Sequence, residues 1–317
     1  MSKEKYIDMG RIAIILCTYN GEKFLKQQLN TIKYQTYREY DLFISDDGSS
    51  DSTLKIVNEF INDNPLMTIH ILKGPKIGFA KNFIRTLQDI PSISERDYLY
   101  YAFCDQDDLW DVEKLGIAIK KLKELNFNGP ALYCSRTKYV DSNGIDIGYS
   151  PLFKKKPSFN NALVQSIAGG NTMLFNDILY NYLLKVDTNK NIVSHDWLTY
   201  LICMAANGIA LYDNNPYISY RQHQANIIGS NNSVLKIYKR FKLMLRGNFS
   251  KWINSNLLHL DNLELSQNNN KILKNFYLVR SKNIFTRFKG LILSKVYRQT
   301  FFGNITLILS TALKKII

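Results

Sequence analysis

The chain reads as an α/β protein whose mostly parallel sheet is covered by helices on both faces and is followed by a basic helical appendage. Three observations predict this. Short apolar segments alternate with segments of helical spacing from residue 11 to residue 134. Those apolar segments are hydrophobic on both faces, as strands inside a parallel sheet must be. The charge also changes character near residue 230.

Taken in order, residues 11–17 (Arg-Ile-Ala-Ile-Ile-Leu-Cys) form a continuous apolar strand, and residues 21–34 carry helical spacing. A second strand is expected over 40–45, a helix over 52–61, a third strand over 67–72 and a helix over 79–87. A fourth strand over 97–104, a helix over 112–125 and a fifth strand over 131–134 continue the alternation. Between about 141 and 165 it lapses into a stretch containing Lys154, Lys155, Lys156 and Pro157, read as a loop over the ligand end of the sheet. A helix follows from Asp177, another opens at Ser194-His195-Asp196-Trp197, and residues 217–223 are extended.

Composition sets outer limits. Its 317 residues accommodate one large core, or one domain with an appendage. Residues 1–230 hold 25 Lys+Arg against 25 Asp+Glu, whereas residues 231–317 hold 16 against 2, so the whole formal charge of +14 lies in the tail. The expected division is therefore 1–230 for the catalytic domain and 231–317 for a basic amphipathic region. Helices are expected near 233–247, 252–267, 269–286 and 290–315, with basic residues set between apolar ones. That pattern suits an anionic membrane surface, and equally a packed appendage with a solvated basic face. Lys295 and Arg298 interrupt the best apolar stretch, which excludes about 20 uninterrupted apolar residues. No nucleic-acid-binding motif is present. The polar first ten residues lack the apolar core of a signal peptide, giving a cytoplasmic expectation. Cys17, Cys104, Cys134 and Cys203 are widely separated and read as buried thiols, not a zinc site.

The polar ends of three strands carry the chemistry. Thr18-Tyr19-Asn20-Gly21, Asp46-Asp47-Gly48-Ser49-Ser50-Asp51 and Asp105-Gln106-Asp107-Asp108 follow the first, second and fourth strands. Ligands of parallel sheets bind at the carboxyl ends of strands, so these segments should share one crevice. Carboxylates packed as tightly as Asp105, Asp107 and Asp108 repel one another unless a cation satisfies them. A hard Mg²⁺ or Mn²⁺ takes few protein carboxylates and completes its shell with water and phosphate oxygens. The same residues also read as an acidic turn in which Asp108 or Asp111 caps the next helix.

In this order and spacing, Cys-Thr-Tyr-Asn-Gly, Ser-Asp-Asp-Gly-Ser-Ser-Asp and Cys-Asp-Gln-Asp-Asp-Leu-Trp resemble family 2 glycosyltransferases of the Rossmann-like GT-A fold, over roughly residues 11–229. Gly169-Gly170-Asn171-Thr172-Met173, His195-Asp196-Trp197 and Tyr220-Arg221-Gln222-His223-Gln224-Ala225-Asn226 narrow the resemblance to bacterial rhamnosyltransferases of cell-wall, capsule or O-antigen synthesis. It implies dTDP-β-L-rhamnose as donor and a lipid-linked saccharide acceptor at the inner face of the plasma membrane. A UDP-hexose or UDP-N-acetylhexosamine donor is the alternative, and a catalytically silent nucleotide-binding subunit is the alternative of another class. A homodimer is compatible with the sequence. A nucleotidyltransferase would usually carry a Gly-rich phosphate loop, and a processive synthase would need membrane spans and a Gln-X-X-Arg-Trp motif; none of these is present.

The resemblance also assigns roles. Thr18, Tyr19 and Glu22 line the base and ribose pocket, with Gln106 beside the nucleotide. Asp46 accepts from the pyrimidine N3–H and Asp47 holds the Gly48-Ser49 turn, the two acids being open to exchange. Lys81 reaches the nucleotide or is a solvated helix lysine. Asp105 and Asp107 form the metal-binding Asp-X-Asp pair, and Arg221 and His223, on one side of an extended chain, meet the phosphates or the metal. Asp196 is the catalytic base, held ionised at a helix start. His195, Trp197, Gly170 and Asn171 shape the sugar or acceptor pocket, where the Gly169-Gly170 pair either allows close backbone approach to a sugar or makes a tight turn.

Overall fold

The computed structural model describes residues 9–222, 247–261 and 263–317. In chain order the first half comprises β1 (Ile12–Thr18), α1 (Leu25–Lys33), β2 (Tyr40–Asp46), α2 (Thr53–Asp63), β3 (Ile69–Lys73), α3 (Phe79–Ile93), β4 (Tyr100–Cys104), β5 (Leu109–Trp110), α4 (Lys114–Glu124) and β6 (Ala131–Ser135). Next come β7 (Lys138–Val140), β8 (Asp146–Tyr149), α5 (Phe159–Ala162), a 3₁₀ turn (Gly170–Thr172), β9 (Leu174–Asn176), α6 (Asp177–Leu183), α7 (His195–Ala205), β10 (Ile209–Asp213) and β11 (Ile218–Arg221). Four helices close the chain: α8 (Asn248–Leu257), α9 (Gln267–Tyr277), α10 (Ile284–Ser294) and α11 (Phe301–Ala312).

Seven strands form the main sheet in the order β10-β6-β9-β4-β1-β2-β3, and only β9 runs antiparallel to its neighbours. Every residue of β1 is buried. Its alternation sends Ala13, Ile15 and Cys17 into one core and Ile12, Ile14 and Leu16 into the other, on opposite faces of the sheet. On the second face α1 buries Leu25, Gln28, Leu29 and Ile32, the i, i+3, i+4, i+7 spacing of a helix with one apolar stripe. The first face takes α3, α6 and α7.

Strand pairing sets the crevice. β1 lies between β2 and β4, with Thr18 paired to Asp46 and Leu16 to Cys104. The polar segments after these three strands therefore emerge side by side.

In a small second sheet, ordered β5-β11-β7-β8, only β11 falls in a segment read as extended, residues 217–223; the other three strands were not legible in the sequence. Its strands are two to four residues long and, apart from the β7–β8 hairpin, pair across distant parts of the chain, so neither length nor periodicity announces the sheet. It carries β11 back against the Asp105–Asp108 loop.

The C-terminal helices share the first-face core with the body through Phe249, Ile253, Leu257, Phe276, Val279, Leu307 and Ile316. The helix expected near 233–247 lies outside the described residues. The one expected over 290–315 divides: Lys295 adopts a left-handed φ of 50° that ends α10, and the Thr300 hydroxyl accepts from Gly303 N at 3.1 Å to start α11. No described helix is long and apolar enough to cross a membrane.

Candidate active site

Asp46, the last residue of β2, organises one end of the crevice. One carboxylate oxygen accepts from Thr18 Oγ1 at 2.9 Å and Ser49 Oγ at 2.5 Å, and the other from the amides of Gly48 at 3.1 Å and Ser49 at 2.8 Å. The turn assigned to Asp47 is thus held by Asp46. Asp47 instead accepts from the amides of Lys76 at 2.6 Å and Gly78 at 3.0 Å, closing the loop before α3. Asn20 N donates to Ser49 Oγ at 2.9 Å, and Asn20 Oδ1 accepts from Ser50 N at 2.9 Å. Glu22 and Asp51 exchange contacts: Glu22 N donates to Asp51 at 3.1 Å and the Glu22 carboxylate accepts from Ser52 N at 3.0 Å. These bonds lace the first two polar segments into one wall, from which the Tyr19 ring stands 58% exposed. Lys81 lies half-buried in the first turn of α3.

Gln106 joins that wall to the acidic loop. Its side-chain amide behaves as a strand partner of Tyr19, accepting from Tyr19 N at 2.9 Å and donating to Tyr19 O at 3.0 Å. A Cβ at residue 21 would lie 2.3 Å from Gln106 Oε1, so any side chain there would have to push the Gln106 amide off Tyr19. Gln106 positions the loop while its two neighbours, Asp105 and Asp107, remain partly exposed.

The third acid behaves differently. Asp108 is fully buried, accepting from Asn171 Nδ2 at 2.5 Å and Arg221 N at 3.3 Å. The Arg221 side chain, expected at the phosphates, is turned beneath the loop. It donates to Asp107 O at 3.0 Å, Ser142 O at 2.9 Å and Gln27 Oε1 at 2.7 Å, and its guanidinium lies 4.6 Å from the centre of the Phe24 ring. Such a planar fork matches several acceptors at once. Lys114 is also buried here, with Nζ 3.5 Å from the Trp110 ring centre and its pKa lowered to about 7 by burial.

Across the crevice, Asp196 begins α7, and its carboxylate accepts from Trp197 N at 2.7 Å. Burial raises its pKa. The Asp105 carboxyl is pushed up to about 8, first by burial, then by the charges of Asp107 and Asp196. The fold therefore brings α7 into electrostatic range of the acidic loop.

His195 faces inward instead. It is 4% exposed, stacks on Phe83 at 3.9 Å and meets the edge of Phe103 at 4.7 Å. Neither ring nitrogen has a hydrogen-bond partner, and burial lowers the pKa to about 3, keeping the ring neutral. A Cβ at residue 170 would lie 2.1 Å from His195 Nε2. The glycine thus makes room for an imidazole, where close approach of a sugar was expected. Trp197, expected to offer a stacking face, is buried and donates from Nε1 to Ala162 O at 2.7 Å, tying α7 to α5.

A model described as Glycosyl transferase family 2 matches residues 13–183. The chain belongs to glycosyl transferase family 2. Among its relatives, the dTDP-rhamnosyl transferase RfbG of Shigella flexneri is 30% identical over 260 residues, covering 78% of this chain and 83% of that protein. TarS of S. aureus, solved with UDP-GlcNAc, superposes with a TM-score of 0.57 at 15% identity, over 96% of this chain and 89% of that one. The mannosyltransferase PcManGT of Pyrobaculum calidifontis, solved with GDP-Man and Mn²⁺, superposes with a TM-score of 0.52 at 16% identity, over 90% and 86%. Both structures share the GT-A architecture with this glycosyltransferase.

Thr18, Tyr19, Glu22, Asp46 and Asp47 lie on the wall built by the first two polar segments, Asp105 and Asp107 lie on the acidic loop that Gln106 joins to it, and Asp196 lies at the start of α7. His223 lies outside the described residues. Among the described residues no group of three side chains forms a metal-binding cluster. Asp105 and Asp107, the Asp105 carboxyl raised first by burial and then by the charges of Asp107 and Asp196, fit a hard cation, which takes few protein carboxylates. Sequence reasoning missed Asp108 and Lys114 as the buried support of this loop, and the exposed Gln27 as an acceptor for Arg221. Asp108 belongs to the same acidic run, and only burial distinguishes it from its neighbours.

Proposed function

We propose that this glycosyltransferase moves L-rhamnose from dTDP-β-L-rhamnose to a hydroxyl of a lipid-linked saccharide, with inversion, at the inner face of the plasma membrane. The observation that carries the donor assignment is the 30% identity to a dTDP-rhamnosyl transferase across 78% of the chain. In this reading Asp46, Asp47 and the loop around Tyr19 hold the nucleotide. Asp105 and Asp107 would hold Mg²⁺ or Mn²⁺, which when bound neutralises charge developing on the nucleoside diphosphate. Gln106 and Arg221 fix the loop that presents those carboxylates. Asp196 takes the proton of the acceptor hydroxyl while its oxygen bonds to C1 of the sugar. The C1–oxygen bond to the diphosphate breaks, and its electron pair leaves with dTDP. A carboxylate with a raised pKa is a better base for this step, provided it stays ionised.

Calorimetry with dTDP-L-rhamnose, UDP-glucose and UDP-N-acetylglucosamine, each with Mn²⁺ and then with chelator, tests the reading. Metal-dependent preference for dTDP-L-rhamnose is the expected result. Preference for a UDP-sugar overturns the rhamnose assignment, and absence of nucleotide binding overturns the proposed donor site.

A further inference from the structure

The last two helices are apolar on the side that faces water. Residues 301–313 contain no charged residue. α11 buries Leu307, Ser310 and Thr311, yet leaves Phe301 75% and Phe302 65% exposed, with Ile305, Ile308 and Leu309 also exposed. At 3.6 residues per turn the buried and exposed sets occupy opposite sides of the helix. α10 has a similar arrangement, with the exposed Lys289 between its two most exposed apolar residues. It buries Arg287, Gly290 and Ser294 and exposes Phe285 at 83% and Ile292 at 70%. Arg287 fastens the pair, donating to Thr311 O at 2.8 Å and Ala312 O at 2.7 Å. An exposed apolar face of this extent marks an interaction surface.

Charge identifies the occupant. Residues 265–317 contain ten Lys and Arg and no Asp or Glu. Lys282, Lys289, Lys295, Lys314 and Lys315 are exposed around the two helices. Lys155 joins this rim: its backbone exchanges hydrogen bonds with the Gln299 side chain at 3.2 and 3.0 Å, and its Nζ donates to Arg298 O at 3.3 Å. A second copy would set this positive surface against itself. An anionic bilayer offers both acyl chains for the aromatic residues and acidic headgroups for the lysines.

We propose that α10 and α11 form an interfacial anchor lying in the plane of an anionic membrane, with Phe285, Ile292, Phe301, Phe302 and Ile305 among the acyl chains. The anchor rests on the membrane placement proposed above and names the surface responsible. It is rigidly tied to the acceptor side of the body. Asn161 Nδ2 donates to Tyr297 O at 3.0 Å in the turn between the helices, and α5 in turn meets α7, which carries Asp196.

The test is cosedimentation of the full chain with vesicles of phosphatidylglycerol and phosphatidylethanolamine, compared with phosphatidylcholine vesicles, alongside donor calorimetry. Wild type is expected on the anionic vesicles. A Phe285→Ser/Phe301→Ser/Phe302→Ser variant is expected to lose about tenfold or more in partitioning, with donor affinity unchanged. A Phe302→Trp variant should show a blue-shifted emission on adding the anionic vesicles. Equal binding by the triple variant, absence of wild-type binding, or a soluble wild-type dimer that the triple variant dissociates would overturn the anchor. Loss of donor binding with vesicle binding retained would overturn the enzymatic reading alone.

Discussion

Asp196 combines two properties needed in a base: burial raises its proton affinity, and the first amides of α7 hold its oxygen in place. In the proposed mechanism Asp196→Asn keeps donor affinity and lowers turnover by about 10²–10⁴-fold, whereas Asp107→Asn weakens metal-dependent donor binding. Calorimetry paired with single-turnover kinetics separates the two, and equal loss of donor affinity in both variants would sink the assignment. Gly170 makes a purely steric prediction. Because the added methyl would meet His195 Nε2 at 2.1 Å, Gly170→Ala should destabilise by about 1–3 kcal/mol. Combining it with His195→Ala should return part of that loss in urea unfolding; an additive double variant would contradict the clash. The glycine was visible in the sequence, but its neighbour was not, because residues 170 and 195 meet only through the packing of α7 on the 3₁₀ turn.

At the scale of elements, the acidic loop rests on β11 from the small sheet and on the first residue of α4. Lys114 occupies that junction with no hydrogen-bond partner for Nζ. Its pKa falls from an ordinary 10.5 to about 7 in the folded state. Between those values the unfolded chain binds more protons, so this lysine makes stability rise with pH; below about pH 7 its burial cost is fully present. Lys114→Met should therefore flatten the rise in unfolding free energy between pH 7 and pH 9.5 relative to wild type, as read from urea melts. Parallel curves for the two proteins would refute the buried-lysine effect. β9 and β10 were missed, but the other five strands of the main sheet and the helices between them were legible because their apolar periodicity is local. β7 and β8 were not, since short strands are stabilised by the partners that tertiary folding brings to them.

For the whole molecule, composition suggested a neutral body and a detachable basic tail. The tail's helices nevertheless contribute Phe249, Ile253, Leu257, Phe276, Val279, Leu307 and Ile316 to the core beneath the sheet. Fully burying one such side chain is worth about 1.5–3 kcal/mol, and the net stability of a domain is only about 5–15 kcal/mol. Truncation after residue 246 should consequently lower the melting temperature sharply or yield aggregated protein. Scanning fluorimetry of the truncated and full chains checks this, and an unchanged melting temperature would restore the separable-tail picture.

The sequence by itself determined the α/β alternation, the convergence of three polar strand ends, the family and the concentration of positive charge after residue 230. Each follows from local periodicity or from motifs contiguous in the chain. Tertiary structure alone decided that Asp46 rather than Asp47 holds the turn, that Arg221 and Trp197 brace the site from within, and that α10 and α11 turn an apolar face outward. A carboxylate's partners, a guanidinium's direction and the solvent side of a helix depend on what lies across from them. For Arg221, Trp197 and the two helices those neighbours come from remote parts of the chain; the Asp46 turn is local, and the remote Thr18, Lys76 and Gly78 decide between the two acids.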